Sequence, residues 1–142
     1  IMGKRKETEK ICLPIDTDRL PENLLAGEWK FSFKKFLYDG NTDKIPRKMY
    51  TKWFDYDKIK DSLAIRNRRK GDYFVLDAAG HHKKLEDYFV YEKIPASHIY
   101  EQLLLAGEDE IFWIVGGRMA YGTGISDATR WVLEITASNS SH

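Results

Sequence analysis

Six cations gather between Ile65 and Lys84: Arg66, Arg68, Arg69, Lys70, Lys83 and Lys84, against two acids, Asp72 and Asp77. The whole chain has a formal charge of only +1. Local concentration of positive charge, rather than its total, suits a polyanionic partner such as a nucleic acid. Two glycines punctuate the run. Gly71 follows Lys70 and Gly80 precedes His81-His82. Each can take the positive φ that lets a backbone turn sharply or come close to a ligand. After Gly80 the spacing changes. Leu85, Tyr88 and Phe89 stand at i, i+3 and i+4, which predicts one face of a helix over about 82–92. Lys83 and Lys84 then fall at or just before its first turn, where the partial positive charge of a helix end adds to their own. A basic strand around Arg66 and Arg68, a glycine turn and a basic helix start together make a candidate phosphate cradle. The plain alternative is that Arg66, Arg68, Arg69 and Lys70 form the wet face of a strand.

Other residues that could carry chemistry are few. His81 and His82 are adjacent, so their side chains diverge, and no third ligand stands at a fixed spacing. They are read as hydrogen-bond donors at the cradle, and no metal site is expected. Gly116-Gly117 should end a strand and leave Arg118 within reach of a phosphate, although the run lacks the spacing of a phosphate-binding loop. Asp55, Asp57, Glu108, Asp109 and Glu110 sit beside turn signals, where solvated carboxylates are normal. Cys12 is the single cysteine, which excludes an internal disulfide and a cysteine metal cluster. No nucleophile elbow occurs, so no catalytic residue is assigned.

Short strands must position these residues. Trp29, Phe31 and Phe33 alternate with Lys30, Ser32 and Lys34, a pattern for a strand with one buried face. Tyr50–Asp55, Leu63–Arg68 and Tyr73–Leu76 read as further strands. Ile111–Val115 is an unbroken apolar run, expected for a strand covered on both faces and paired with Leu103–Ala106 across Gly107. Trp131, Leu133 and Ile135 alternate in a closing strand. The tally predicts an α+β fold, mainly antiparallel sheet in a small two-sheet arrangement, with one good helix and short helical turns. All four tryptophans lie in apolar strand patterns and are expected in the core. Tyr73, Tyr91 and Tyr121 lie near breakers and are surface candidates.

At 142 residues the chain fits one domain, or one domain plus an appendage. The expected division is an N-terminal β-rich segment, 1–48, a principal domain, 49–137, and a polar, frayed tail, 138–142. The chain opens on Ile1 rather than Met, so it is expected to begin inside a longer protein or to have lost its true start. No apolar run approaches membrane-spanning length and no signal peptide is evident, so a cytoplasmic protein without a membrane partner is expected.

Several of these runs occur in a known order. Residues 63–72, ending Arg-Asn-Arg-Arg-Lys-Gly-Asp, are followed by Gly-His-His-Lys-Lys-Leu-Glu-Asp-Tyr-Phe at 80–89 and Lys-Ile-Pro at 93–95. Residues 103–118, ending Ile-Phe-Trp-Ile-Val-Gly-Gly-Arg, and Asp127-Ala-Thr129 come later, with Trp53 to Lys58 at the start. Over about 50–136 the chain resembles the C-terminal domain of tRNA(Ile)-lysidine synthetase. It departs from that pattern in having Lys70 and Leu103 where proline is frequent, and Ala96 and Ile99 where basic residues are frequent. The resemblance implies a module similar to one in the phenylalanyl-tRNA synthetase β chain, which grips the acceptor-stem side of a tRNA. The parent enzyme would join lysine to the wobble cytidine of tRNA(Ile) using ATP. The resemblance places the ATP site in a separate N-terminal domain, and no cofactor is expected here. The expected RNA contacts are Arg66, Arg68, Arg69, Lys70, Lys83, Lys84 and Arg118, with His81 and His82. Gly71, Gly80, Gly116 and Gly117 shape the turns. A protein-interaction or homodimerisation module of the same enzyme is the rival expectation.

Overall fold

The computed structural model describes residues 10–139. Three antiparallel sheets carry the chain. Sheet A has the order β1 (Cys12–Pro14), β5 (Ala64–Arg66), β8 (Leu104–Ala106), β9 (Ile111–Ile114). Sheet B has the order β2 (Asn23–Ala26), β3 (Trp29–Leu37), β10 (Trp131–Asn139), β4 (Thr51–Asp55). A two-stranded ribbon joins β6 (Tyr73–Val75) to β7 (His82–Lys84). Among the described residues three short α-helices, α1 (Tyr56–Ile59), α2 (Leu85–Tyr91) and α3 (Ala96–Glu101), and a single 3-10 turn at Thr42–Lys44 complete the fold. The expected α+β class holds, with the ribbon added to two four-stranded sheets.

Sheet A is the middle layer. On one side Ile65, Leu105, Phe112 and Trp113 meet Phe31, Phe54, Leu133 and Ile135 of sheet B. On the other side Leu104, Ala106, Ile111 and Ile114 meet Phe74, Leu85 and Phe89 of the ribbon and α2. Alternation along β8 thus sends Leu104 and Ala106 one way and Leu105 the other, as the strand period demands. Neither face is left for water, which is why Ile111–Val115 reads as continuous apolar sequence. Pairing of β8 with β9 shifts register between Leu105 and Ala106, so Phe112 is the bulged residue and Phe112 and Trp113 both face sheet B. Trp113 is wholly enclosed, whereas Trp29, Trp53 and Trp131 are half-buried. Trp53 donates its indole N–H to Glu134 at 2.8 Å.

The predicted helix over about 82–92 is shorter at its start. His82, Lys83 and Lys84 are strand, and only Leu85–Tyr91 is helix. The lysines pair across to Phe74 and Tyr73, and this local pairing outcompetes one more helical turn. Glu86 and Asp87 in the first turn suit the positive end of the helix. Lys93 takes a left-handed φ of 55°, and Ile94 and Lys93 donate backward to Phe89 and Val90, closing the helix in the manner of a Schellman turn. The tail expectation also changes: Ser138 and Asn139 pair with Lys30 and Trp29 inside β10, because the ladder to β3 outlasts the apolar pattern. Residues 140–142 of that tail, like residues 1–9, lie outside the described residues. The N-terminal strands are woven in, with β1 bonded to β5 and β3 to β10.

A buried carboxylate and a sterically required glycine help to hold the layers. The Asp55 carboxylate accepts from the Asp57 N–H at the start of α1 and from the Thr129 hydroxyl at 2.9 Å. It thereby ties the end of β4 to the loop that leads into β10. Gly116 has φ +82°, and a Cβ there would stand 2.8 Å from the Tyr50 ring. Both the backbone conformation and the ring demand glycine. Gly116→Ala should destabilise the chain by more than about 1 kcal/mol, read as a lower urea midpoint.

Candidate nucleic-acid interface

The loop that follows β5 is the centre of the candidate site. Arg68, Arg69 and Lys70 are exposed on it, and Gly71 turns it at φ +94°. Facing it is the junction of β7 and α2. Arg68, Arg69, Lys70, Gly71 and Lys84 line one groove of about 370 Å³ together with Asp72, Leu85 and Glu86. Two of the cations are braced. The Arg68 guanidinium lies 5.4 Å from the centroid of the Tyr100 ring, a cation–π arrangement. Arg69 donates through Nη2 to the Cys12 sulfur at 3.1 Å. The junction is fixed to the loop by the Leu85 N–H, which donates to the Asp72 carbonyl at 2.9 Å.

Arg66 departs from the expectation of a phosphate contact. Its side chain is 1% exposed and grips Asp72, also 1% exposed. Nη1 meets Oδ2 at 2.9 Å and Nη2 meets Oδ1 at 2.7 Å. The same two nitrogens donate to the carbonyls of Asn67 and Glu108. No phosphate can reach this guanidinium. Strand alternation sent Arg66 to an interior face that is closed by the loop itself, so the basic strand face does not exist; Arg68 lies beyond the strand.

The ribbon divides the remaining candidates. Tyr73 stands opposite Lys84, Phe74 opposite Lys83 and Val75 opposite His82. Opposed residues share a face and neighbours alternate. Phe74 is buried beneath α2, so Lys83 points to that side, where its Nζ sits 4.5 Å from the Tyr91 ring centroid. Lys84 and His82 take the other face, and the His82 ring meets Tyr73 with centroids 4.9 Å apart. Arg118 belongs on the Lys83 side, 5.3 Å from the centroid of Phe74. Burial and the Glu92 charge raise the Tyr88 hydroxyl pKa there, and the nearby Arg118 opposes the rise. His81 is exposed at the far end of the ribbon and pairs with Asp77 at 3.0 Å, which holds the Asp77 carboxyl below its usual pKa. Gly80, at φ +86°, makes the turn between them.

The structure therefore gathers Arg68, Arg69, Lys70 and Lys84. It sets Lys83 and Arg118 on the opposite face, His81 at the ribbon tip, and Arg66 inside. Gly116 and Gly117 turn the chain after β9, away from the groove lining. Sequence reasoning missed Tyr100, Asp72 and Asn67. An acid placed directly after Gly71, six residues from an arginine across a tight loop, was the available signal for Asp72. Tyr100 offered none, because α3 meets Arg68 only through the tertiary fold. Among the described residues no three His, Cys, Asp or Glu side chains gather as a metal-binding group, and no helix is long and apolar enough to cross a membrane.

Removing one member of the buried pair strands the other charge without water. Arg66→Ala should cost about 3–5 kcal/mol of stability, whereas an exposed change such as Lys70→Ala should stay within about 0.5 kcal/mol. Urea denaturation of both variants checks the contrast.

A family model described as the TilS substrate C-terminal domain matches residues 63–135. The tRNA(Ile)-lysidine synthase of Caldanaerobacter subterraneus subsp. tengcongensis is 36% identical over 136 residues, which are 95% of this chain and 29% of that protein. The tRNA(Ile)-lysidine synthase of Clostridium tetani is 29% identical over 134 residues, 94% of this chain and 27% of that protein. The chain thus spans less than a third of the length of these curated relatives. A crystal structure of a TilS C-terminal domain aligns at a TM-score of 0.66 and 18% identity, covering 93% of this chain and 98% of that one, a likeness of fold. The matched segment begins at Leu63, just before β5, and runs into β10, so it contains the loop, the ribbon and the groove between them. With sequence and fold in agreement over that segment, the chain belongs to the family of the tRNA(Ile)-lysidine synthase C-terminal domain.

Proposed function

We propose that this chain is the tRNA-binding module of a tRNA(Ile)-lysidine synthase and holds the acceptor-stem side of tRNA(Ile) in the groove between the Arg68–Gly71 loop and Lys84. The observation that carries the reading is the convergence of Arg68, Arg69, Lys70 and Lys84 from two separate elements on one groove. A duplex RNA stem is recognised mainly through phosphates, 2′-hydroxyls and groove shape, and such recognition needs placed cations rather than a catalytic group. Each phosphate neutralised makes binding depend on salt. Lysine ligation at the wobble cytidine, with ATP as the energy source, belongs in this reading to another domain of the parent enzyme. This chain supplies grip and choice of tRNA, binds no cofactor of its own, and works in the cytoplasm.

The geometry ranks the cations. Lys84 and Arg69 line the groove; Lys83 is turned toward Tyr91 on the other face of the ribbon. Binding of tRNA(Ile) by the chain, titrated across a salt series, should weaken in Lys84→Glu and Arg69→Glu, with the salt slope reduced by about one for each. Lys83→Glu should have the smaller effect. Unchanged affinity in both groove variants would remove this surface from RNA binding. A tight RNA-free dimer in sedimentation, with no affinity for tRNA, would favour the protein-interaction reading instead.

A further inference from the structure

Three of the groove cations, Arg68, Arg69 and Lys70, sit on one short loop, and long side chains on a free loop lose much of their binding energy to ordering. The backbone here is not free. Asp72 receives three donors at once: Arg66 Nη1 and Nη2, at 2.9 and 2.7 Å, and the Arg69 N–H at 2.6 Å. Its own N–H points back to the Arg69 carbonyl, and its carbonyl takes the Leu85 N–H. Arg66 extends the brace on the other side, to the carbonyls of Asn67 and Glu108. At the start of the loop the Asn67 amide oxygen accepts from the Ile11 N–H at 2.6 Å, while the Asn67 N–H donates to the Ile11 carbonyl. Both ends of the loop are therefore pinned, and the far end is pinned to the segment that carries Lys84.

We propose that Arg66 and Asp72 are positioning residues for RNA binding: their buried ion pair presets the Arg68–Gly71 backbone against the Lys84–Leu85 junction so that the groove cations meet a tRNA already in place. The inference rests on the tRNA-binding reading and adds a role for two residues that touch no RNA. Asp72 does not dilute the positive field of the groove, because its charge is spent on Arg66 inside the fold. A fold-stabilising role alone does not account for the pattern. A buried ion pair can often be replaced by apolar groups without loss of stability. Apolar side chains cannot hold the Arg69 N–H or the Asn67 and Glu108 carbonyls, so the replacement separates stability from loop order.

The test is the double variant Arg66→Met/Asp72→Leu, with Arg66→Lys beside it as the conservative change that keeps the charge and loses the bidentate fork. Three readouts are taken on the chain: thermal unfolding, amide exchange at residues 68–71, and tRNA(Ile) affinity across a salt series. A folded double variant should show faster exchange in the loop and about tenfold weaker binding. Arg66→Lys should move both in the same direction by less. A folded double variant that binds as tightly as the parent chain, with the same salt slope, overturns the positioning role. If the double variant does not fold, Arg66→Lys decides: parent-like exchange and affinity overturn the inference, and loosened exchange with weaker binding supports it. Arg69→Glu and Lys84→Glu run in the same series. If they leave affinity untouched, the tRNA-binding reading falls and this inference with it; if they weaken binding while the double variant does not, only the positioning role falls.

Discussion

Taking a guanidinium and a carboxylate out of water costs several kcal/mol per ion, and only good geometry with further hydrogen bonds recovers it. The Arg66–Asp72 pair meets both conditions. Its two ions face each other in a bidentate fork, and Nη1 and Nη2 also donate to the carbonyls of Asn67 and Glu108, which leaves Nε as the one guanidinium donor without a partner. Those carbonyls belong to the loop after β5 and to the hairpin between β8 and β9. One side chain thus fixes two turns that sequence keeps about forty residues apart. The candidate groove exists because the first of these turns is held open against the start of α2.

The apolar layers explain why the other wall of the groove stays where it is. Leu85 and Phe89 anchor α2 on the outer face of sheet A, and Phe74 fills the space beneath it. Lys84, the residue before the helix, is exposed on the rim of a packed core. Full burial of a side chain such as Leu85 contributes about 1.5–3 kcal/mol, so the helix start does not drift. Sheet A is covered on its second face by sheet B, so it cannot flex freely in either direction. Rigid apolar layers and one buried ion pair together set the separation between the loop cations and Lys84.

Much of this could be read in the sequence. The continuous run Ile111–Val115 announced a doubly covered strand, the alternation of Trp131, Leu133 and Ile135 announced β10, and positive φ at Gly71, Gly80 and Gly116 follows from glycines at turns. The loop cations were found by charge concentration alone. What sequence could not supply was direction. Arg66 and Arg68 are two residues apart and look equivalent by period, but one closes into the interior and the other leaves the strand. Lys83 and Lys84 are adjacent in sequence and identical in chemistry, and the ribbon turns them to opposite faces. The helical spacing extends three residues ahead of the helix itself, because pairing of His82–Lys84 with β6 is a tertiary choice that local spacing does not reveal.

A count of cations therefore overstates the surface that a polyanion meets. Of six in the basic stretch, Arg66 is neutralised inside and Lys83 faces away, which leaves Arg68, Arg69, Lys70 and Lys84 for the groove. Four placed charges on a chain of net charge +1 argue against a general attraction to nucleic acid, which depends on a broad positive field. On the proposed tRNA-binding reading they favour recognition by spacing, in which the loop and the ribbon end would match two stretches of phosphate at a set separation. Such a match discriminates by the shape of a folded RNA rather than by its base sequence, and it is only as sharp as the backbone that holds the charges is stiff. The buried pair supplies that stiffness in the Arg68–Gly71 loop.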